Sequence, residues 1–218
     1  KHNKIIWGNE VSVLLGDYLL SISFQILTRL GNLDVLECIS LATRNISHGQ
    51  VLEISEPLHS VTKKHWRRVM LGKFAGLFGA GAQSAAYWGG ADNMTSSILF
   101  SFGEHVGLAV KLKNDLKELG GEKFVKQKIN NYELWSPICF LLHECLPEDQ
   151  RIEISKKIQN KVDDPETVNE ILNLIKEHDL IDMVKFEAEK ELKLAKECLL
   201  NLEIDTRPLL ALTQFSVI

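Results

Sequence analysis

Apolar residues recur three and four positions apart through nearly the whole sequence, and this periodicity leaves little choice of architecture. Alternating β-branched runs and Asn-Gly or Asp-Gly hairpin turns are absent, so a sheet has nothing to form from. The expected fold is all-α. The spacing predicts helices over Glu10–Leu30, Asn32–Ile54, Thr62–Gly90, Asn93–Leu119, Asn131–Leu146, Pro147–Asn160, Pro165–His178, Leu180–Leu200 and Thr206–Ser216.

The boundaries have local causes. Asn32 and Thr62 are placed to cap helix starts, and Asp149 and Glu166 put negative charge there. Gly31 and Gly120-Gly121 can take the left-handed stop conformation. Pro57, Pro147, Pro165 and Pro208 stand between or at the beginnings of periodic segments, where a missing N–H costs little. No repeat or linker divides the 218 residues, and 45% apolar content supplies one sizeable core.

Charge and composition remove several functions. A formal net charge of −4 gives no basic footprint for nucleic acid, and the run Lys63-Lys64-His65-Trp66-Arg67-Arg68 reads as a solvated helix start. The four cysteines, Cys38, Cys139, Cys145 and Cys198, form neither a CxxC pair nor a disulfide scaffold, which fits a reducing compartment. Cys139, His143 and Cys145 lie on one apolar helix with no fourth ligand near, so buried thiols and a core histidine are expected there in preference to zinc. Asp17, Ser21, Ser23 and Gln25 interrupt the longest apolar stretch, Val11 to Leu30, so no transmembrane segment is expected. The sequence opens at Lys1 without an initiator Met or signal pattern, as a processed terminus or the edge of a fragment would.

One stretch is rich in small residues: Gly72, Ala75, Gly76, Gly79, Ala80, Gly81, Ala82, Ser84, Ala85 and Ala86. Such residues either let helices approach closely or leave room for a long ligand. A bundle with an internal tunnel is the expectation. A second stretch, Phe102 to Leu119, carries Lys111, Asn114, Asp115 and Glu118 at steps of three and four on one helix face. Oxygen ligands of this kind suit Mg²⁺ bridging to a substrate phosphate, although acids and lysines at this spacing also make ordinary salt-bridged faces.

Three further segments precede that face in order: Ile5-Ile-Trp-Gly-Asn-Glu-Val-Ser-Val-Leu-Leu-Gly-Asp-Tyr-Leu-Leu-Ser21, Ile46-Ser-His-Gly-Gln-Val-Leu-Glu53 and Leu71-Gly-Lys-Phe-Ala-Gly-Leu-Phe78. Together the four resemble the trans-polyprenyl diphosphate synthase family, with its WGN…VLxGDxLLS helix, GQxxD-like element, KTxxLF element and second DDxxD motif. The long-chain octaprenyl and decaprenyl enzymes, or their divergent second subunit, are the most similar members. The resemblance is well ordered from Lys1 to Leu119 and looser beyond.

This resemblance implies an isoprenoid synthase-type helical bundle and a reaction. An allylic diphosphate ionises with help from Mg²⁺, isopentenyl diphosphate attacks, and proton loss gives a product five carbons longer. It implies Lys73 and Asp115 as catalytic residues, with Lys73, Gln50 and Lys111 binding substrate. Asp115, Glu118 and Asn114 are implied as metal ligands, and Asp17 as a structural acid. It implies a homodimer, or a heteromer with a related synthase subunit, paired through helices that include Glu10–Leu30. The compartment implied is the cytoplasm, or the mitochondrial matrix in a eukaryote.

The departures are as informative. The second acidic motif reads Asn114-Asp115-Leu116-Lys117-Glu118, and Val110-Lys111 stands where the family has Phe-Gln. Lys111 is thereby set either to pair with Asp115 against a metal or to offer its charge to a diphosphate. The family's Lys-Thr pair is Lys73-Phe74. Its first DDxxD motif belongs upstream of the WGN helix, so the expectation is a chain comprising the C-terminal two-thirds of one synthase-like domain and inactive alone. A catalytic subunit and a non-catalytic partner subunit of a heteromeric synthase are both consistent with these residues.

Overall fold

The computed structural model describes residues 3–117, 126, 134–160 and 165–215, with the side chains of residues 3–7 and 215 left aside. Among the described residues the chain is helical and holds no strand, as the periodicity required. The helices are α1 (Asn3–Leu30), α2 (Leu33–Ser55), α3 (Lys63–Met70), α4 (Gly76–Trp88), α5 (Asn93–Lys117), α6 (Ser136–Phe140), α7 (Glu148–Asn160), α8 (Pro165–Glu177), α9 (Leu180–Cys198) and α10 (Arg207–Phe215). A short 3₁₀ turn, Leu58–Ser60, leads into α3.

The predicted caps form. Asn32 accepts the Val35 N–H at 3.0 Å and Thr62 accepts the His65 N–H at 3.0 Å, each satisfying a first-turn donor that the helix cannot. Gly31 turns the chain between α1 and α2 at φ +68°. The helix predicted from Glu10 begins earlier, at Asn3, with a break at Gly8 (φ 81°). The one predicted over Asn131–Leu146 has its described helix begin at Ser136, after Leu134 gives both its N–H and its carbonyl to tertiary bonds. Glu118 and the Gly120-Gly121 stop lie outside the described residues.

The predicted helix Thr62–Gly90 runs through α3 and α4 with one widened turn between them. Leu71–Ala75 is a π turn, closed by a Gly76 N–H bond to the Leu71 carbonyl. A Cβ at Gly76 would lie 2.7 Å from that carbonyl oxygen, so the extra residue fits only where residue 76 has no side chain. A second π turn, Leu141–Cys145, follows α6.

Helix α5 is the axis of the molecule, with α4 on one side and α9 on the other; α2 packs on α4, and α1 lies outermost against α2. The main core gathers Trp66, Met70, Leu108, Leu112, Trp135, Phe140 and Ile171. Trp66 meets Phe140 edge-on at 5.5 Å. A smaller core, Ala86, Leu99, Phe102, Val106, Ala195 and Leu199, fills the other end of α5.

Within the small-residue stretch, a Cβ on Gly72 would lie 3.1 Å from the Asn45 carbonyl oxygen and one on Gly79 2.9 Å from that of Phe100, and the same close approach recurs at glycines outside it. A Cβ on Gly49 would sit 2.8 Å from the Lys73 backbone nitrogen, one on Gly103 2.5 Å from the Phe78 carbonyl oxygen, and one on Gly107 2.8 Å from the Ala75 Cα. These glycines bring α2, the π turn, α4 and α5 together backbone to backbone. Beside Gly76 lies a pocket of about 390 Å³ whose lining mixes Leu41, Ala42 and Phe100 with Arg44, Gln83 and Ser101.

Helix α1 is barely covered by the other described residues. Val13, Leu14, Tyr18, Leu19 and Ile26 are all more than half exposed. By length and composition Gly8–Leu30 is apolar enough to cross a membrane, so the polar interruptions do less than expected. Ser12, Ser21 and Ser23 each donate to the carbonyl four residues back, at 2.8–2.9 Å, which removes much of their polarity. An apolar helix of this kind equally suits another protein's surface.

Candidate functional site

The helix pattern brings two acids to the same short segment. Glu53, three residues after Gln50 on α2, is buried; Asp115, four residues after Lys111 on α5, has no exposed surface. Between them passes Leu134-Trp135-Ser136, the approach to α6.

Glu53 is fully partnered. Lys73, in the π turn, donates its ammonium to Oε2, Gln50 donates its amide to the same oxygen at 2.9 Å, and the Leu134 N–H donates to Oε1 at 3.2 Å. The predicted pair Lys73 and Gln50 therefore does converge, on an acid that the motifs do not single out as a site residue. The sequence signal for it is its place as the last residue of the Gln50-Val-Leu-Glu53 element, since an i,i+3 pair shares a helix face. The Lys73 side chain keeps 29% of its surface exposed.

Asp115 mirrors this arrangement. Lys111 donates to Oδ1 at 2.5 Å, while Ser136 donates its N–H at 3.1 Å and its hydroxyl at 2.7 Å to Oδ2. The Trp135 indole N–H donates to the Asp115 carbonyl at 3.1 Å, and the Trp66 indole N–H to the Leu134 carbonyl at 3.2 Å. Burial pushes the Asp115 carboxyl above its ordinary range, while Lys111 and Ser136 pull it back. The nearby Cys139 thiol is pushed up by burial and then by the Asp115 charge, which leaves it unreactive.

Not every predicted residue joins. Asn114 is exposed, one step round the helix from buried Asp115, and Glu118 lies outside the described residues. Among the described residues, no three His, Cys, Asp or Glu side chains gather as a metal-ligand set. Mg²⁺ needs near-octahedral oxygen ligands and keeps several waters. With both oxygens bonded and no exposed surface, Asp115 as arranged does not fit a directly bound Mg²⁺. Likewise His143, close in sequence to Cys139 and Cys145, faces Arg151 at 3.0 Å, and burial pushes its ring below the ordinary range.

A second cluster has no sequence signal, because its acid stands 124 and 86 residues from the groups it meets. Glu191 of α9, 3% exposed, receives Arg67 of α3 and His105 of α5, the latter at 2.7 Å. Alongside, Lys63 pairs with Glu187 at 2.5 Å and lies 5.1 Å from the Phe140 ring centre. Burial works against the charge of Glu191, yet the bonds from His105 and Arg67 prevail and hold its carboxyl below the ordinary range. A depressed carboxyl contributes stability that is present above its unfolded pKa and is lost as pH falls through the folded one. Thermal unfolding followed from pH 7 into the acid range should therefore show a steeper loss for the parent chain than for Glu191→Gln. Parallel curves would remove Glu191 from the acid response.

Known proteins share both the motifs and this helical arrangement. The family model described as polyprenyl synthetase matches residues 1–175. An octaprenyl diphosphate synthase from Escherichia coli (strain K12) is 31% identical over 154 residues, covering 67% of this chain and 47% of that protein. The chain thus spans about half the length of that relative. A polyprenyl synthase structure from Roseobacter denitrificans superposes with a TM-score of 0.86 at 25% identity, over 96% of this chain and 71% of that one. A decaprenyl diphosphate synthase structure from Rhodobacter capsulatus gives 0.83 at 26% identity, over 100% and 69%.

Proposed function

Because the chain belongs to the polyprenyl synthetase family, whose members elongate prenyl diphosphates, we propose that it works in that elongation as a non-catalytic partner subunit bound to a related catalytic chain. The observation that carries this reading is Asp115. Both oxygens of this carboxylate already take donors, an ammonium on one and a hydroxyl and backbone N–H on the other, and the side chain has no exposed surface at which a hydrated metal could reach it. The exposed apolar residues of α1 supply a surface on which such an association can form.

The rival reading is a prenyltransferase that itself condenses isopentenyl diphosphate with an allylic diphosphate. It draws on Lys73, whose part-exposed ammonium on a π turn is suited to holding a diphosphate. Incubation with radiolabelled isopentenyl diphosphate, farnesyl diphosphate and Mg²⁺ separates the two. The partner reading expects no extended product from this chain alone. With a related catalytic chain it expects co-elution on gel filtration and a change in product yield or length. Extended product from this chain by itself, or a catalytic chain indifferent to its presence, would defeat the partner reading.

A further inference from the structure

Asp115 is not merely occupied; it is occupied by a cation that the chain itself carries. We propose that Lys111 is a tethered cation standing at Asp115 in place of a divalent metal, so that this acidic site stays closed and metal-free. The proposal deepens the partner reading and rests on it for its biological sense, while its geometry stands separately.

Three observations carry it. The Lys111 ammonium lies 2.5 Å from Oδ1; the lysine side chain is 17% exposed and the aspartate 0%. The opposite oxygen is held by the Ser136 N–H and hydroxyl. That N–H belongs to the backbone at the start of α6, fixed further by Trp135 and Trp66, so it cannot swing away to admit another ligand. The other buried acid nearby, Glu53, is closed in the same manner by Lys73, Gln50 and the Leu134 N–H. A divalent ion entering here would have to shed its waters, displace an ammonium tethered one helical turn away and meet that ammonium's charge within a few ångströms. Because Lys111 is part of the same helix, it is present at every moment and does not depend on ion concentration.

The two buried carboxylates therefore serve as acceptors that organise residues 134–136, with lysines supplying the countercharge that a soluble cation would otherwise bring. Removing the tether should open the site. In Lys111→Gln the charge is gone while a shorter, neutral amide remains, so Asp115 Oδ1 loses its ammonium and is held at most by a displaceable neutral donor.

Paramagnetic Mn²⁺, which takes the same oxygen ligands as Mg²⁺, tests this in the full chain labelled with ¹⁵N. In the unaltered protein at millimolar Mn²⁺ the Ser136 amide signal should keep its width; its loss would overturn the proposal without any substitution. In Lys111→Gln that signal should broaden away, with Mn²⁺ bound at least tenfold more tightly than to the parent. A folded Lys111→Gln whose Ser136 amide ignores Mn²⁺ also sinks it. If Lys111→Gln does not fold, the unaltered chain's Ser136 signal decides alone. Failure here is distinct from failure of the partner reading: Ser136 broadening with no product from the chain alone ends this inference only, and product made while Ser136 stays sharp ends the other.

Discussion

Asp115→Ala is expected to lower the stability of the chain by about 3–5 kcal/mol, the cost of removing one member of a buried pair. The loss has several parts. Lys111 keeps its charge in a largely buried place without a partner, and the Ser136 N–H and hydroxyl lose their acceptor. The approach to α6 then hangs on Glu53, on Trp66 and on the Trp135 indole's bond to the main-chain carbonyl of residue 115. Denaturant unfolding followed by circular dichroism measures this directly. A midpoint unchanged from the parent would show that Asp115 does not hold the segment. Replacing both members with apolar residues, Lys111→Met with Asp115→Leu, should recover a large part of the loss, because it leaves no orphaned charge. A family-based reading of Asp115 as a metal ligand expects turnover to suffer and stability to be spared. The hydrogen bonds around it argue the reverse.

Gly103→Ala carries the other large effect, about 3 kcal/mol, the upper part of the range for overpacking. The added methyl would stand 2.5 Å from the Phe78 carbonyl oxygen and 2.7 Å from both Phe78 C and Gly79 Cα. All three are backbone atoms, so no side chain can swing aside, and α4 and α5 must part instead. Gly81 on the same α4 is the natural control, since nothing lies within 4 Å of a Cβ there. Gly81→Ala should raise stability by about 0.5–1 kcal/mol through helix propensity alone. Equal effects at the two positions would show that close packing is not what glycine is needed for at residue 103.

Helical periodicity is a local property, so the all-α class, the caps at Asn32 and Thr62 and most helix limits were legible in the sequence. Lys73 and Gln50 were picked out through resemblance, because they lie in ordered motifs, but their shared partner Glu53 was not. The use of glycine was not: close approach and open space ask for the same residue, and only the distance from Gly103 to Phe78 decides between them. Nor was the burial of Asp115. A helix face with Lys111, Asn114 and Asp115 reads as exposed until Ser136, 21 residues on, is seen to cover it. The Glu191 cluster had no trace at all, because nothing in α9 marks which of its acids meets Arg67.

That last separation has a consequence in time. A chain made from its N-terminus at about 5–20 residues per second brings Glu191 into being roughly 6–25 s after Arg67, 124 residues earlier. For that interval the cations on α3 face a gap that α9 will later fill. The glycine contacts between α4 and α5 join residues about 25 positions apart and close within a few seconds of synthesis. The nascent protein is thus a clamped helix pair with one open side, and only the late arrival of α9 shuts it.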